Sequence, residues 1–373
     1  MKKIFNTLLL ASMVAICLTG CKDPSSYTIS GELSDPSFEG CMVRLYGMEN
    51  RQLLDSAVIS DGHFTFKGNV AKCDIGFLRV NDEAGMNSFE QYLILEPGDI
   101  HLNMFTDTLY GTPLNDRFCA TFTNGVLRDS RAQISALIQQ YYTTADEAQR
   151  QVLLEQYDTL AQQYALHTAA VARQALADNP DNLLGAYAIM QLLDNGDDVT
   201  YDTLNHWMNN SSSVIANYAP LRQKLEMLHN VDITSEGNPF VDIEGIDMEG
   251  NATKLSTMMQ PGTLTLIDFW ASWCGPCRHE ISENLIRLYD KYHTRGLNII
   301  GIDVWDTPEK HAAAVADLGI QYPQLIDTTS ANAATTLYGV EGVPTLLLIG
   351  ADGTILARGI RGEAIETAIK QNL

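Results

Sequence analysis

Leu264-Thr265-Leu266-Ile267-Asp268-Phe269-Trp270-Ala271-Ser272-Trp273-Cys274-Gly275-Pro276-Cys277 is the stretch on which the fold of this chain turns. Its first six residues are a short apolar run that reads as a buried strand. After Cys277, residues 278–293 carry Ile281, Leu285, Ile286, Leu288 and Tyr289 at helical spacing. The two cysteines therefore sit where strand passes into helix. That junction puts the first sulfur at a helix N-terminus, where unpaired N–H groups and the helix dipole favour thiolate over thiol. The second cysteine comes about one turn later, close enough to close a small disulfide. Pro276 has no N–H, which the first turn would leave unused, and its ring presets φ there. Such a pair is a redox switch.

Half of a zinc site is the competing reading. Zinc would want a second Cys or His pair at matching spacing. Cys17, Cys21, Cys41, Cys73 and Cys119 supply none, and no His-x₃₋₅-His occurs. No metal and no other cofactor is expected. A purely structural disulfide would contribute little, because so tight a loop constrains little chain entropy.

The segment from Asp268 to Cys277 resembles the active-site segment of thioredoxin. Its continuation Arg278-His279-Glu280, and the later Gly342-Val343-Pro344-Thr345, resemble the TlpA/ResA-type membrane-anchored thiol:disulfide oxidoreductases. The resemblance covers residues 238–373. It implies a thioredoxin fold with a redox disulfide Cys274–Cys277, Cys274 as nucleophile and Cys277 as resolving thiol. It also implies a cis proline at Pro344 facing them. In that family the position of Glu280 is an active-site acid, and in thioredoxin the position of Asp268 is one; this chain has both. A proline usually follows the glutamate by two residues, and Ser282 stands there, so the helix is expected to lack its usual kink.

Cys277 must lose its proton when a mixed disulfide resolves. Asp268, on the strand under the helix, is expected to be the base, its pKa raised by desolvation. Glu280, one turn after Cys277, assists. Trp273 is expected to wall the cleft, and Val343 and Pro344 to present backbone to an extended substrate segment. A peroxidase of the same fold would need Thr or Ser three residues before its reactive cysteine and Pro seven before it; Ala271 and Ile267 stand there. A non-catalytic binding lipoprotein, resting on the rest of the chain, is the third class.

Residues 1–20 read as a lipoprotein signal peptide: Lys2 and Lys3, then an apolar stretch at 8–18 too short to span a bilayer comfortably. Leu18-Thr19-Gly20-Cys21 resembles the bacterial lipobox, which implies cleavage before Cys21 and lipid on it. The expected location is the cell envelope, with the chain exported, periplasm-facing and tethered through that lipid. Its expected partners are disulfide-containing envelope proteins and a membrane thiol electron donor. A formal charge of −22 disfavours nucleic acid and anionic headgroups.

The chain reads as multidomain. Residues 21–110 are a β-rich module, an antiparallel sandwich or barrel of short segments such as Tyr27-Thr28-Ile29-Ser30 and His63-Phe64-Thr65-Phe66. It resembles the all-β modules that precede thioredoxin domains in many bacterial lipoproteins. Residues 111–233 read as an α-helical spacer, with stripes at Ile134, Leu137, Ile138 and Tyr141 and at Leu153, Tyr157, Leu160 and Tyr164. A polar linker at 234–239 marks the boundary. Beyond it, residues 238–373 alternate as α/β: strand 263–269, helix 277–292, strand 297–304, helices 308–318 and 331–338, strands 344–349 and 353–358, helix 363–371. Each isolated histidine, and each of Cys41, Cys73 and Cys119, is read as structural.

Overall fold

Alternation of buried and exposed residues builds the N-terminal module from eight strands: β1 (Ser26–Glu32), β2 (Met42–Gly47), β3 (Gln52–Val58), β4 (His63–Asn69), β5 (Asp74–Asn81), β6 (Ser88–Leu95), β7 (Gly98–Asn103) and β8 (Thr108–Tyr110). They form two four-stranded sheets, β4-β1-β7-β8 and β3-β2-β5-β6. In β1 and β2 every second residue, including Ile29, Val43 and Leu45, is buried. The expected all-antiparallel arrangement needs one correction: β1 and β7 pair in parallel, Ile29 opposite Ile100. The chain switches sheets at Pro97-Gly98, so β7 enters beside β1 running the same way.

The computed structural model describes residues 23–82, 88–123, 125–196, 199–327 and 333–373; the signal segment and Cys21 lie outside them. Residues up to His167 form one compact unit and Thr168–Leu373 another. The first contains the sheets, α1 (Pro113–Phe118), α2 (Val126–Thr143) and the start of α3 (Glu147–Asp178). The second contains the end of α3 and α4 (Leu183–Asn195), α5 (Tyr201–Asn209), α6 (Ser213–Ala216) and α7 (Ala219–Ile233), then the α/β region. No described helix is long and apolar enough to cross a membrane.

The segment expected as a linker is bonded into the second unit. Gly237 N–H donates to Ile355 O, Ile355 N–H to Asn238 O, and Arg358 Nη1 to the buried Thr234 hydroxyl at 3.0 Å. Helix α7 docks as well, Asn230 Nδ2 donating to Thr336 O at 2.8 Å.

The α/β region has strands β9 (Glu244–Ile246), β10 (Ala252–Lys254), β11 (Leu264–Trp270), β12 (Leu297–Asp303), β13 (Gln324–Ile326), β14 (Thr345–Ile349) and β15 (Ile355–Arg358). They make one seven-stranded sheet in the order β10-β9-β13-β12-β11-β14-β15, with β11 between β12 and β14 and fully buried. The helices are α8 (Leu255–Met258), α9 (Gly275–Glu280), α10 (Ile286–Tyr292), α11 (Pro308–Leu318), α12 (Ala333–Leu337) and α13 (Glu363–Asn372). On one face Leu264, Leu266 and Trp270 pack against Cys277, Ile281 and Ile365; on the other Ile267 and Phe269 pack against Leu255 and Tyr338. Strand β11 is apolar on both faces because both are covered. This is the α/β thioredoxin-like architecture expected.

The helix that follows Cys277 is not regular throughout. Between α9 and α10 the residues Ile281–Leu285 form a turn of π-helix, the kind of irregularity at which helices bend. Ser282 Oγ donates to Arg278 O, four residues back, at 2.8 Å. A hydroxyl bound to that carbonyl perturbs the ladder without proline.

Candidate active site

Cys274 caps helix α9 in extended conformation, with Gly275 and Pro276 opening the first turn. Cys277 N–H donates to Cys274 Sγ at 3.1 Å, so the helix end faces that sulfur as expected. The two cysteines form a disulfide, their Cα atoms 5.3 Å apart. Cys274 retains 4% exposure and Cys277 none, which makes the first the outer sulfur. Cys41, Cys73 and Cys119 are free. Among the described residues no cluster of His, Cys, Asp or Glu is arranged to hold a metal.

The Val343–Pro344 bond is cis, and Val343 O lies 3.6 Å from Cys274 Sγ. The two segments flanking the disulfide are thus brought together from 69 residues apart. Val343 is half-buried and Pro344 buried. Trp273 stands 62% exposed in front of the pair, its indole N–H donating to Trp305 O at 3.1 Å. Asp306 Oδ2 accepts from Ser272 N at 2.7 Å, so the turn after β12 holds the cysteine loop twice over. Trp305 adopts φ 58°, an unusual left-handed conformation for so bulky a residue. Sequence reading did not single it out.

Alternation along β11 aims Asp268 to the same side as Leu266 and Trp270, the side of both cysteines. Asp268 is 1% exposed, and its carboxyl accepts no hydrogen bond among the described residues. Burial, reinforced by the charge of Glu280 and opposed by that of Arg361, pushes its pKa up to about 8. Glu280 is itself buried rather than lying on a solvated helix face. Its Oε1 accepts from Asn284 Nδ2 at 2.7 Å, and both its oxygens accept from Gly362 N at 3.2 and 3.3 Å. Tyr322 completes the pocket; burial and then the charge of Asp268 hold its phenol well above the ordinary value.

A second buried layer supports Trp270. Its indole N–H donates to Gln324 Oε1 at 3.1 Å. A Cβ at Gly301 would fall 2.3 Å from that same oxygen, so only glycine leaves the amide room. The His311 ring packs 4.9 Å from Trp270, and His311 Nδ1 lies 3.1 Å from Asp303 Oδ1 in a fully buried pair. Burial raises the pKa of Asp303, with His311 pulling the other way.

Comparison with known proteins agrees with this geometry. Residues 237–358 match the model of the AhpC/TSA family, and residues 27–118 match a domain of unknown function, DUF4369. The thiol:disulfide interchange protein HelX of Rhodobacter capsulatus is 33% identical over 135 residues, 36% of this chain and 72% of that protein. The thiol-disulfide oxidoreductase ResA of Bacillus anthracis is 33% identical over 110 residues, 30% of this chain and 61% of its own length. A solved thiol-disulfide oxidoreductase from Bacteroides fragilis is 27% identical, with a TM-score of 0.34, covering 36% of this chain and all of that one. The match to HelX spans the larger part of that relative, and it falls on a chain whose paired cysteines open a helix beside a cis proline. The chain therefore belongs to the thiol:disulfide oxidoreductases of the thioredoxin fold.

Proposed function

We propose that this oxidoreductase works as an exported, lipid-anchored reductase of protein disulfides. The observation that carries the reading is the Cys274–Cys277 disulfide at the start of α9, beside the cis Val343–Pro344 bond and on the same side of β11 as the buried Asp268. In the reduced protein the Cys274 thiolate attacks a substrate disulfide, forming a bond to one substrate sulfur and expelling the other as thiolate. Asp268 as carboxylate takes the proton of Cys277. The Cys277 thiolate then attacks Cys274 Sγ, closes the intramolecular disulfide and expels the remaining substrate thiolate. Two electrons pass to the substrate. A base whose pKa lies near neutrality can accept that proton and later release it.

Val343 and Pro344 offer backbone to an extended segment, with Trp273 as the cleft wall. Glu280 holds the turn before α13 and sets the charge felt by Asp268. Disulfide-containing envelope proteins are the proposed substrates, and a membrane thiol donor re-reduces the pair. The lipobox-like Leu18-Thr19-Gly20-Cys21 supports the anchor. Cys21→Ala is expected to leave an unprocessed or soluble form, and unchanged partition into detergent would refute the anchor.

Insulin reduction with dithiothreitol tests the catalytic reading. The wild-type chain should accelerate precipitation and Cys274→Ser should not. Equal rates would reject it, and turnover of peroxide in place of insulin would favour a peroxidase.

A further inference from the structure

The turn between β15 and α13 bonds to three segments of the redox centre: strand β14, the cis-proline carbonyl and Glu280. Gly359 N–H donates to Leu346 O at 2.8 Å, and Leu346 is the residue of β14 that pairs with Asp268. Two residues on, Arg361 Nη2 donates to Pro344 O. The next residue, Gly362, donates its N–H to both oxygens of Glu280. Gly362 adopts φ 56°, so the chain can bend there and begin α13 without a side-chain clash. One short turn therefore joins the cis-proline backbone to Glu280 and to the strand neighbour of Asp268.

We propose that Arg361 is a positioning residue of the redox centre. Its guanidinium, tied to the carbonyl of Pro344, brings a positive charge to the Asp268 side of the site and favours the ionised form of the acid that serves Cys277.

The groups that face Asp268 are few. Helix α9 presents Cys277 and Glu280, the segment before β13 presents Tyr322, and the turn before α13 presents Arg361. The strand partners Gly301 and Leu346 carry no charge. Burial and Glu280 both oppose ionisation of Asp268, and Arg361 is the group that favours it. An arginine suits the position. Its planar head carries several donors and holds the Pro344 carbonyl through one of them. Without it the acid stays protonated further above neutrality, and a step that needs the carboxylate slows. The cis-proline segment would also lose a donor, so a positional effect accompanies the electrostatic one.

This inference rests on the reading of Asp268 as the proton acceptor, and the test separates the two. The full chain, reduced, is mixed with a bis(nitrobenzoate) disulfide. A Cys277→Ser control subtracts reaction at the free Cys41, Cys73 and Cys119. Cys274 takes one aryl sulfur into a mixed disulfide while the other leaves as the first aryl thiolate. Release of that second aryl thiol by Cys277 is followed by absorbance across pH. Wild-type release should rise with pH through an ionisation near neutrality, and Asp268→Asn should flatten the rise. If Asp268→Asn leaves the profile unchanged, the underlying reading fails. If it flattens the profile, Arg361 is tested on its own. Arg361→Gln should move the midpoint to higher pH and slow release on the order of tenfold at pH 7, the effect of one unit on a step that needs the ionised acid. Arg361→Lys, which keeps the charge, should restore most of the profile. A uniform slowing by Arg361→Gln with the midpoint unmoved would overturn the proposal. So would a lysine variant no better than glutamine. Should Arg361→Gln fail to fold, an Arg361→Lys profile displaced as far as that of a neutral variant Arg361→Met would equally overturn it.

Discussion

The indole N–H of Trp273 donates to the backbone carbonyl of Trp305 at 3.1 Å, joining the residue before Cys274 to a residue in left-handed conformation. Trp305 also packs, with Val343, against the apolar cluster on the far face of the sheet. The exposed tryptophan before Cys274 is thereby tied to a residue anchored in the core, and on the proposed function it would offer a peptide an apolar surface. Trp273→Phe keeps an aromatic ring but removes the donor, worth about 1 kcal/mol. Exchange with a cysteine-containing peptide disulfide should slow by roughly fivefold by that figure, while a small aryl disulfide should react as before. Equal slowing with both would mean that Trp273 only steadies the loop.

Asp268 holds its proton up to about pH 8 in the folded disulfide form, whereas the unfolded chain releases it near 3.8. Between those values the native state binds more protons than the unfolded state, so this group lowers stability as pH rises. Asn at the same place is neutral throughout. Asp268→Asn should therefore be close to neutral for stability at pH 4 and stabilising by a few kcal/mol at pH 8, with no further gain above it. Three of the four tryptophans lie at 270, 273 and 305, so urea unfolding followed by fluorescence reports this region. A gain independent of pH would show that the buried charge is not its source.

Cys274 is the outer sulfur and accepts the Cys277 N–H at the helix end. In the reduced protein iodoacetamide should modify Cys274 first, by on the order of tenfold or more. Peptide mapping after partial alkylation reads the ratio directly. Equal labelling of Cys277 would reverse the assignment of nucleophile and resolving thiol.

Direction of transfer follows from how strongly the thiolate is favoured over the disulfide. Gly275-Pro276 places no cation between the cysteines, and two buried acids stand on their side of the sheet. Both features oppose a permanently ionised sulfur. The pair should titrate against glutathione with a potential nearer the roughly −270 mV of a reductant than the roughly −120 mV of a strong oxidant. A value above about −180 mV would make the chain an oxidant or isomerase.

Much of this was legible in linear order because the signals are local. A buried strand, a cysteine at a helix cap and a proline in its first turn are each set by neighbours within a few residues. Gly342-Val343-Pro344-Thr345 was recognisable through its resemblance to the TlpA/ResA-type oxidoreductases, and so were Asp268 and Glu280 as acid positions. Other elements gave no local signal. β13 is only three residues long and begins with Gln324, whose side chain is spent on Trp270. β3 is exposed along almost its whole length, so it has no buried face to alternate. The π turn depends on where the Ser282 hydroxyl points, not on a residue type that breaks helices.

Cys274, Cys277 and the strand–helix junction that exposes one sulfur and buries the other were decided by the sequence itself, through spacing and capping. The state of the acid that serves them was decided only by tertiary structure. A carboxyl acquires a pKa of about 8 through loss of water and through charges brought in from residues 280 and 361, and Coulomb energy depends on distance in space, which sequence separation does not measure.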